Sequence, residues 1–122
     1  MTLQELYQEI GGDYNQVLRV LRMEKLVDKH IRKFPGGGAV ESLLAAGDNM
    51  DPVRLFEAAH AVKGIAGNLG LTGLSEAASR ITEEFRPGNS RKMTDEEVRE
   101  LLGEIGATYR KTAAAISRYA EG

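Results

Sequence analysis

A chain of 122 residues, 42% apolar and 28% charged, fits one folded domain, leaves no room for a second catalytic domain and is too apolar for intrinsic disorder. Its formal charge of −2 provides no basic field, so neither nucleic acid nor a membrane surface is expected as a partner. Cysteine is absent, which removes disulfide frameworks and Cys-based zinc sites; without a signal-peptide core in Met1 to Ile10 or a bilayer-length apolar run, a cytoplasmic protein is expected.

Apolar residues recur at helical spacing almost throughout, with no sustained alternation of period two, so the fold class is predicted to be all-α. Leu3, Leu6, Tyr7 and Ile10 form a first short stripe that stops at Gly11-Gly12, and Asp13 caps a second helix carrying Val17, Leu18 and Leu21. These helices, within residues 1–22, are expected to be accessory to a bundle built from 23–121. The third stripe, Met23, Leu26, Val27, Ile31 and Phe34, meets Pro35-Gly36-Gly37-Gly38, which should interrupt or bend the helix before Ala39 to Ala46 resumes it. Gly47 to Met50 reads as a turn.

Asp51-Pro52 starts the central helix: an acceptor at the N-cap, then a proline where its missing N–H costs nothing. Leu55, Ala59, Val62, Ala66 and Leu69 follow at alternating spacings of four and three, a stripe suited to bundle packing. Gly70 is the expected residue past the helix end, and Thr72 the expected cap of the next helix. That helix turns Leu74, Ala77, Ala78, Ile81 and Phe85 inward and ends before Arg86-Pro87-Gly88-Asn89. A link of one or two residues between the two forces an antiparallel hairpin. Thr94 and Glu97 form a capping box that opens the longest helix, with Val98, Leu101, Leu102, Ile105, Tyr109, Thr112, Ile116 and Tyr119 on its buried side. Short loops between long amphipathic helices predict an up-and-down antiparallel four-helix bundle with short accessory N-terminal helices, one domain over 1–122.

His60 lies off the stripe of the central helix and should project outward. Its neighbours on that face are Phe56, Glu57, Lys63, Gly64 and Gly67. A glycine inside a helix costs about 1 kcal/mol relative to alanine, so Gly64 and Gly67 call for an offsetting benefit. Removing side chains beside an exposed imidazole opens a shallow surface through which another protein can approach. Lys63 adds a positive charge next to that opening, an arrangement suited to a phosphoryl group.

His60-Ala61-Val62-Lys63-Gly64 resembles the His-x-x-Lys-Gly signature of histidine-containing phosphotransfer domains. The likeness continues through Ile65-Ala66-Gly67-Asn68-Leu69-Gly70-Leu71 and the helix behind it, covering roughly Asp48 to Phe85. The resemblance implies a phosphorelay carrier: Nε2 of His60 takes a phosphoryl group from an aspartyl phosphate on a receiver domain and passes it to another receiver. It implies Lys63 as the residue that stabilises the phosphoryl group, and a receiver-docking surface of Phe56, Glu57, Gly64, Gly67 and Asn68. The partners implied are response-regulator receivers, a hybrid histidine kinase, or both, with the chain itself a monomer. No cofactor of its own is implied, the metal ion being supplied by the receiver, and no ATP site or independent turnover, so the chain is not expected to be an enzyme. Two positions depart from the family: Ala61 stands where a hydroxyl residue is frequent, and Thr82 where many members carry a carboxylate that orients the imidazole. Thr82, Ser79 or solvent would have to take that orienting role.

Other features take plainer readings. His30 lies on or beside an apolar stripe and is expected to be a packed or boundary residue; the two histidines lack the partner spacing of a zinc site, so no metal site is expected. Gly103 and Gly106 are expected at a close helix contact, and Asp95 to Glu100 form a solvated first turn. Two alternative functions stay open on the sequence: the phosphoacceptor domain of a chemotaxis-type histidine kinase, and a non-catalytic adaptor that binds receivers without being phosphorylated.

Overall fold

A computed structural model describes residues 1–122 and contains helices and turns but no strand. Its α-helices are α1 (Leu3–Ile10), α2 (Tyr14–Leu21), α3 (Glu24–Lys33), α4 (Ala39–Asn49), α5 (Pro52–Asn68), α6 (Thr72–Glu84) and α7 (Asp95–Glu121), with a 3-10 turn at Phe34–Gly36 between α3 and α4. Local chemistry sets most of the starts. The Thr2 hydroxyl accepts from Glu5 N while the Glu5 carboxylate accepts from Thr2 N, a capping box that the stripe of α1 alone did not reveal. Asp13 caps α2 through Gln16 N, Asp51 accepts from Val53 N and Arg54 N ahead of α5, and Thr94 and Glu97 close the capping box of α7.

Several boundaries differ from the sequence expectation. Residues 47–49 continue α4 rather than turning, and the chain reverses only at Met50, which takes a left-handed φ of 51°. α7 passes so close there that a Cβ on Gly47 would stand 2.5 Å from Leu102 Cδ1 and force that side chain to shift. Met23 is not part of the inward stripe: it occupies the N-cap position of α3 and is 54% exposed. Thr72 is the first residue of α6 rather than its cap; Leu71 holds the cap position without a side-chain bond, and the α5–α6 link spans three residues, Leu69 to Leu71. Of the two glycines of α7 only Gly106 meets a neighbouring helix, through Leu44, whereas Gly103 faces open space.

One apolar core joins all the helices. Leu55, Ala59, Val62, Ala66 and Leu69 of α5 are buried together with Leu74, Ala78 and Ile81 of α6 and Val98, Leu101, Leu102, Ile105 and Ile116 of α7. The helices α4, α5, α6 and α7 touch in a closed cycle, α4 on α5, α5 on α6, α6 on α7 and α7 on α4. Leu3, Leu6, Tyr7 and Val17 belong to the same core, so the helices of residues 1–22 do more than decorate it. They bolt down the C-terminal end of α5: Tyr7 Oη donates to Leu69 O at 2.7 Å, Asp13 N to Gly70 O at 2.7 Å, and Gln16 Nε2 to Gly67 O at 3.2 Å. Gly70 itself has φ 70°, and a Cβ on it would lie 2.5 Å from Asp13 O, so both conformation and space require glycine.

Polar links close the remaining gaps. Glu84, nearly buried at the end of α6, accepts from Lys92 N and Met93 N at 2.8 and 2.7 Å and so shapes the loop that leads into α7. Tyr109 Oη lies 2.7 Å from both Pro35 O and Glu41 Oε2, tying the α3–α4 junction to α7. Burial first, then the bond to Glu41, pushes the Tyr109 hydroxyl up to about 12. Since an unfolded tyrosine titrates at about 10, the stabilisation from this shift is complete below that pH and is lost as pH rises toward the folded value. The melting temperature is therefore expected to fall over the interval from about pH 10 to about 12, and more shallowly in Tyr109→Phe; equal slopes in both proteins would refute the assignment.

Candidate functional site

The buried stripe of α5 leaves its opposite face to solvent, and His60 sits in the middle of that face, exposed. Phe56, one turn earlier, is half-buried and stacks on the imidazole, with ring centroids 5.9 Å apart and planes inclined by 17°. Gly64, one turn later, is exposed, and nothing lies within 4 Å of where its Cβ would be. An approaching protein thus meets a ring held from one side and open space on the other.

The two flanks of this face differ. Toward α6, the half-buried Lys63 offers its backbone carbonyl to Ser75 Oγ at 3.3 Å, and Gly67 would bring a Cβ to 3.4 Å from the same hydroxyl. Gly67 is half-buried and serves the hairpin contact as well as the surface. Toward α4, the exposed Glu57 lines a depression with Ser42, Asn49, Asp51 and Arg54. Asn68 is placed apart from the imidazole: with Leu21, His30, Lys33, Phe34 and Ile65 it borders a separate cavity of about 320 Å³. His30, expected to be a packed or boundary residue, is exposed on the rim of that cavity because α3 turns its Val27 and Ile31 rather than His30 into the core.

Thr82 does not face the imidazole as an orienting group. It is fully buried, and its hydroxyl donates to Ala78 O at 2.8 Å, one turn back on its own helix. The charged residues that reach the site from α6 and its end are Glu83 and Arg86, neither of which the sequence reading selected. Arg86 grips Glu83 with two bonds, Nε to Oε2 at 2.9 Å and NH2 to Oε1 at 2.8 Å, and its guanidinium lies over the Phe56 ring, 5.4 Å from the centroid. The Glu83 carboxyl is held below its usual range, first by the bonds from Arg86 and then by the charges of Arg86 and Lys63. Glu83, Arg86 and Phe56 therefore form a polar and aromatic chain that ends on the His60 imidazole. Val53, two turns before His60 on the same face and 63% exposed, was also missed, although its spacing of seven would have identified it. The Arg86 contact needed the hairpin register, which no local signal supplies.

No group of three or more His, Cys, Asp or Glu side chains comes together in a way that could hold a metal ion. The surface thus carries an exposed imidazole with a lysine and an open glycine one turn further along, on a helix fixed at both ends. The family model for the Hpt domain matches residues 2–110, and the chain belongs to this family. Hpt domains are phosphocarrier modules rather than enzymes; they serve histidine phosphotransfer in phosphorelay signalling, working with receiver domains and histidine kinases. Neither a curated protein nor a solved structure matches the chain. No helix is long and apolar enough to cross a membrane.

Proposed function

We propose that His60 is the phosphoacceptor of a cytoplasmic, monomeric phosphorelay carrier that takes a phosphoryl group from one receiver and delivers it to another. The observation that supports this most directly is the exposed imidazole in mid-helix beside a glycine whose missing side chain leaves the approach clear. In the forward step the lone pair on Nε2 of neutral His60 attacks the phosphorus of an aspartyl phosphate. The N–P bond forms as the P–O bond to the aspartyl carboxyl group breaks, and the carboxylate leaves with the electron pair. Return of the group to a second receiver reverses these events. Lys63 neutralises charge on the transferring oxygens, while the receiver supplies the metal ion. The cycle of contacts among α4, α5, α6 and α7 supports an up-and-down antiparallel four-helix bundle as the scaffold, with 1–122 acting as one phosphotransfer domain.

Label transfer tests the reading. Incubation with a panel of phosphorylated receivers from the same genome is expected to move phosphate onto the chain from at least one of them, without nucleotide. Transfer only from an ATP-fed kinase domain would assign the chain to a kinase, and no transfer from either source would leave an adaptor. Lys63→Ala is expected to slow transfer by about ten- to a hundredfold while receiver binding persists, the loss appropriate to one electrostatic contact made to the transferring group. Wild-type rates in that variant would reduce Lys63 to a surface lysine.

A further inference from the structure

Arg86 is already occupied at rest. Its guanidinium spends two hydrogen bonds on Glu83 and packs over Phe56, the same ring on which the His60 imidazole stacks. Lys63 sits close enough for its charge to act on the same carboxylate. Glu83 thus holds, before any phosphate arrives, the guanidinium that shares the Phe56 ring with the acceptor imidazole. It stands where an anion belongs, with the bidentate geometry that a guanidinium also offers to a phosphoryl group.

We infer that Glu83 is a positioning residue that acts through Arg86: it holds the guanidinium against Phe56 while His60 is free, and yields it to the phosphoryl group once His60 is loaded. This rests on His60 being the phosphoacceptor. A phosphoryl group carries more negative charge than a carboxylate and has three acceptor oxygens, so it competes successfully for a fork-shaped donor one aromatic ring away. Exchange of partners has two consequences. The loaded state gains a cation only after the Glu83 pair opens, so Glu83 lowers the affinity of the carrier for its own phosphate and favours onward delivery. Withdrawal of Arg86 from Phe56 also removes the cation from the ring on which the imidazole stacks.

The pair is exposed, and exposed pairs are weak, so the effect is a shift of equilibrium of about two- to fivefold rather than a block. Phosphoramidate is used first, because it loads histidine without any receiver: the N–P bond of the reagent breaks, the bond to Nε2 forms, and ammonia leaves. Because His30 is also exposed, the reagent is applied to His30→Gln: a phosphohistidine phosphorus resonance there, absent once His60→Gln is added, is the expected result, and its failure would overturn the acceptor assignment and this inference with it. In the loaded chain the Nε–H resonance of Arg86 is expected to move, and to stay in place in reagent-treated His60→Gln. The equilibrium with a phosphorylated receiver then gives the sign. Glu83→Gln is expected to shift it about two- to fivefold toward the loaded carrier, and the same substitution made with Arg86→Ala to shift it less than about twofold. A Glu83→Gln effect of full size without Arg86 would show simple repulsion between carboxylate and phosphate. Normal loading with an unmoved Arg86 resonance and an unshifted equilibrium would overturn the positioning role while leaving His60 as the acceptor.

Discussion

Replacement of His60 by glutamine is expected to remove all acid-labile phosphorylation while leaving the helical content unchanged. The side chain is exposed and lies off the buried stripe of α5, so its loss opens no cavity, and a surface change of this kind moves stability by no more than about 0.5 kcal/mol. Glutamine keeps a polar group at the same place and is a good helix former, but its amide nitrogen has no lone pair free to attack phosphorus. The expected loss is therefore of chemistry alone. Because the chain has two histidines, His30→Gln is the matching control and should label like wild type. Labelling that survives in His60→Gln and disappears in His30→Gln would move the site to the rim of the cavity beside Asn68.

The second large effect is expected at Gly64, where function and stability should part. Gly64 is exposed and nothing stands within 4 Å of a Cβ built there, so Gly64→Leu starts into open space and is expected to gain up to about 1 kcal/mol from helix propensity. The same side chain would project one turn from His60, between the imidazole and any receiver that has to bring its phosphoaspartate to bonding distance. Misplacing reacting atoms by about 1 Å already costs on the order of a hundredfold, and an intruding leucine does at least that. Transfer is expected to fall by roughly a hundredfold or more with weakened receiver affinity, while the melting temperature holds or rises. Gly47 provides the contrast: a side chain there would collide with Leu102 and cost about 1–3 kcal/mol as overpacking. A lowered melting temperature in Gly64→Leu with unimpaired transfer would make Gly64 a packing position.

Local signals in the sequence determined the helix starts at Asp13, Asp51 and Thr94, the buried stripes of α5, α6 and α7, and the outward direction of His60. Caps and periodicity act within one or two turns, so a chain read alone carries them. The same range of interaction made Phe56, Lys63 and Gly64 recognisable as neighbours of the imidazole, since residues three and four apart share a helix face. Only the tertiary structure decided what crosses between helices. It carried α4 through Gly47 to Asn49 alongside α7, left Gly103 open while Gly106 met Leu44, and turned His30 to the surface. It withdrew Thr82 into the core and brought Glu83 and Arg86 to Phe56 in its place. Helical spacing fixes which residues share a face but not which face a neighbouring helix covers, and the partner of Arg86 thirty positions upstream is set by the register of the α5–α6 hairpin, which packing of the two buried stripes determines.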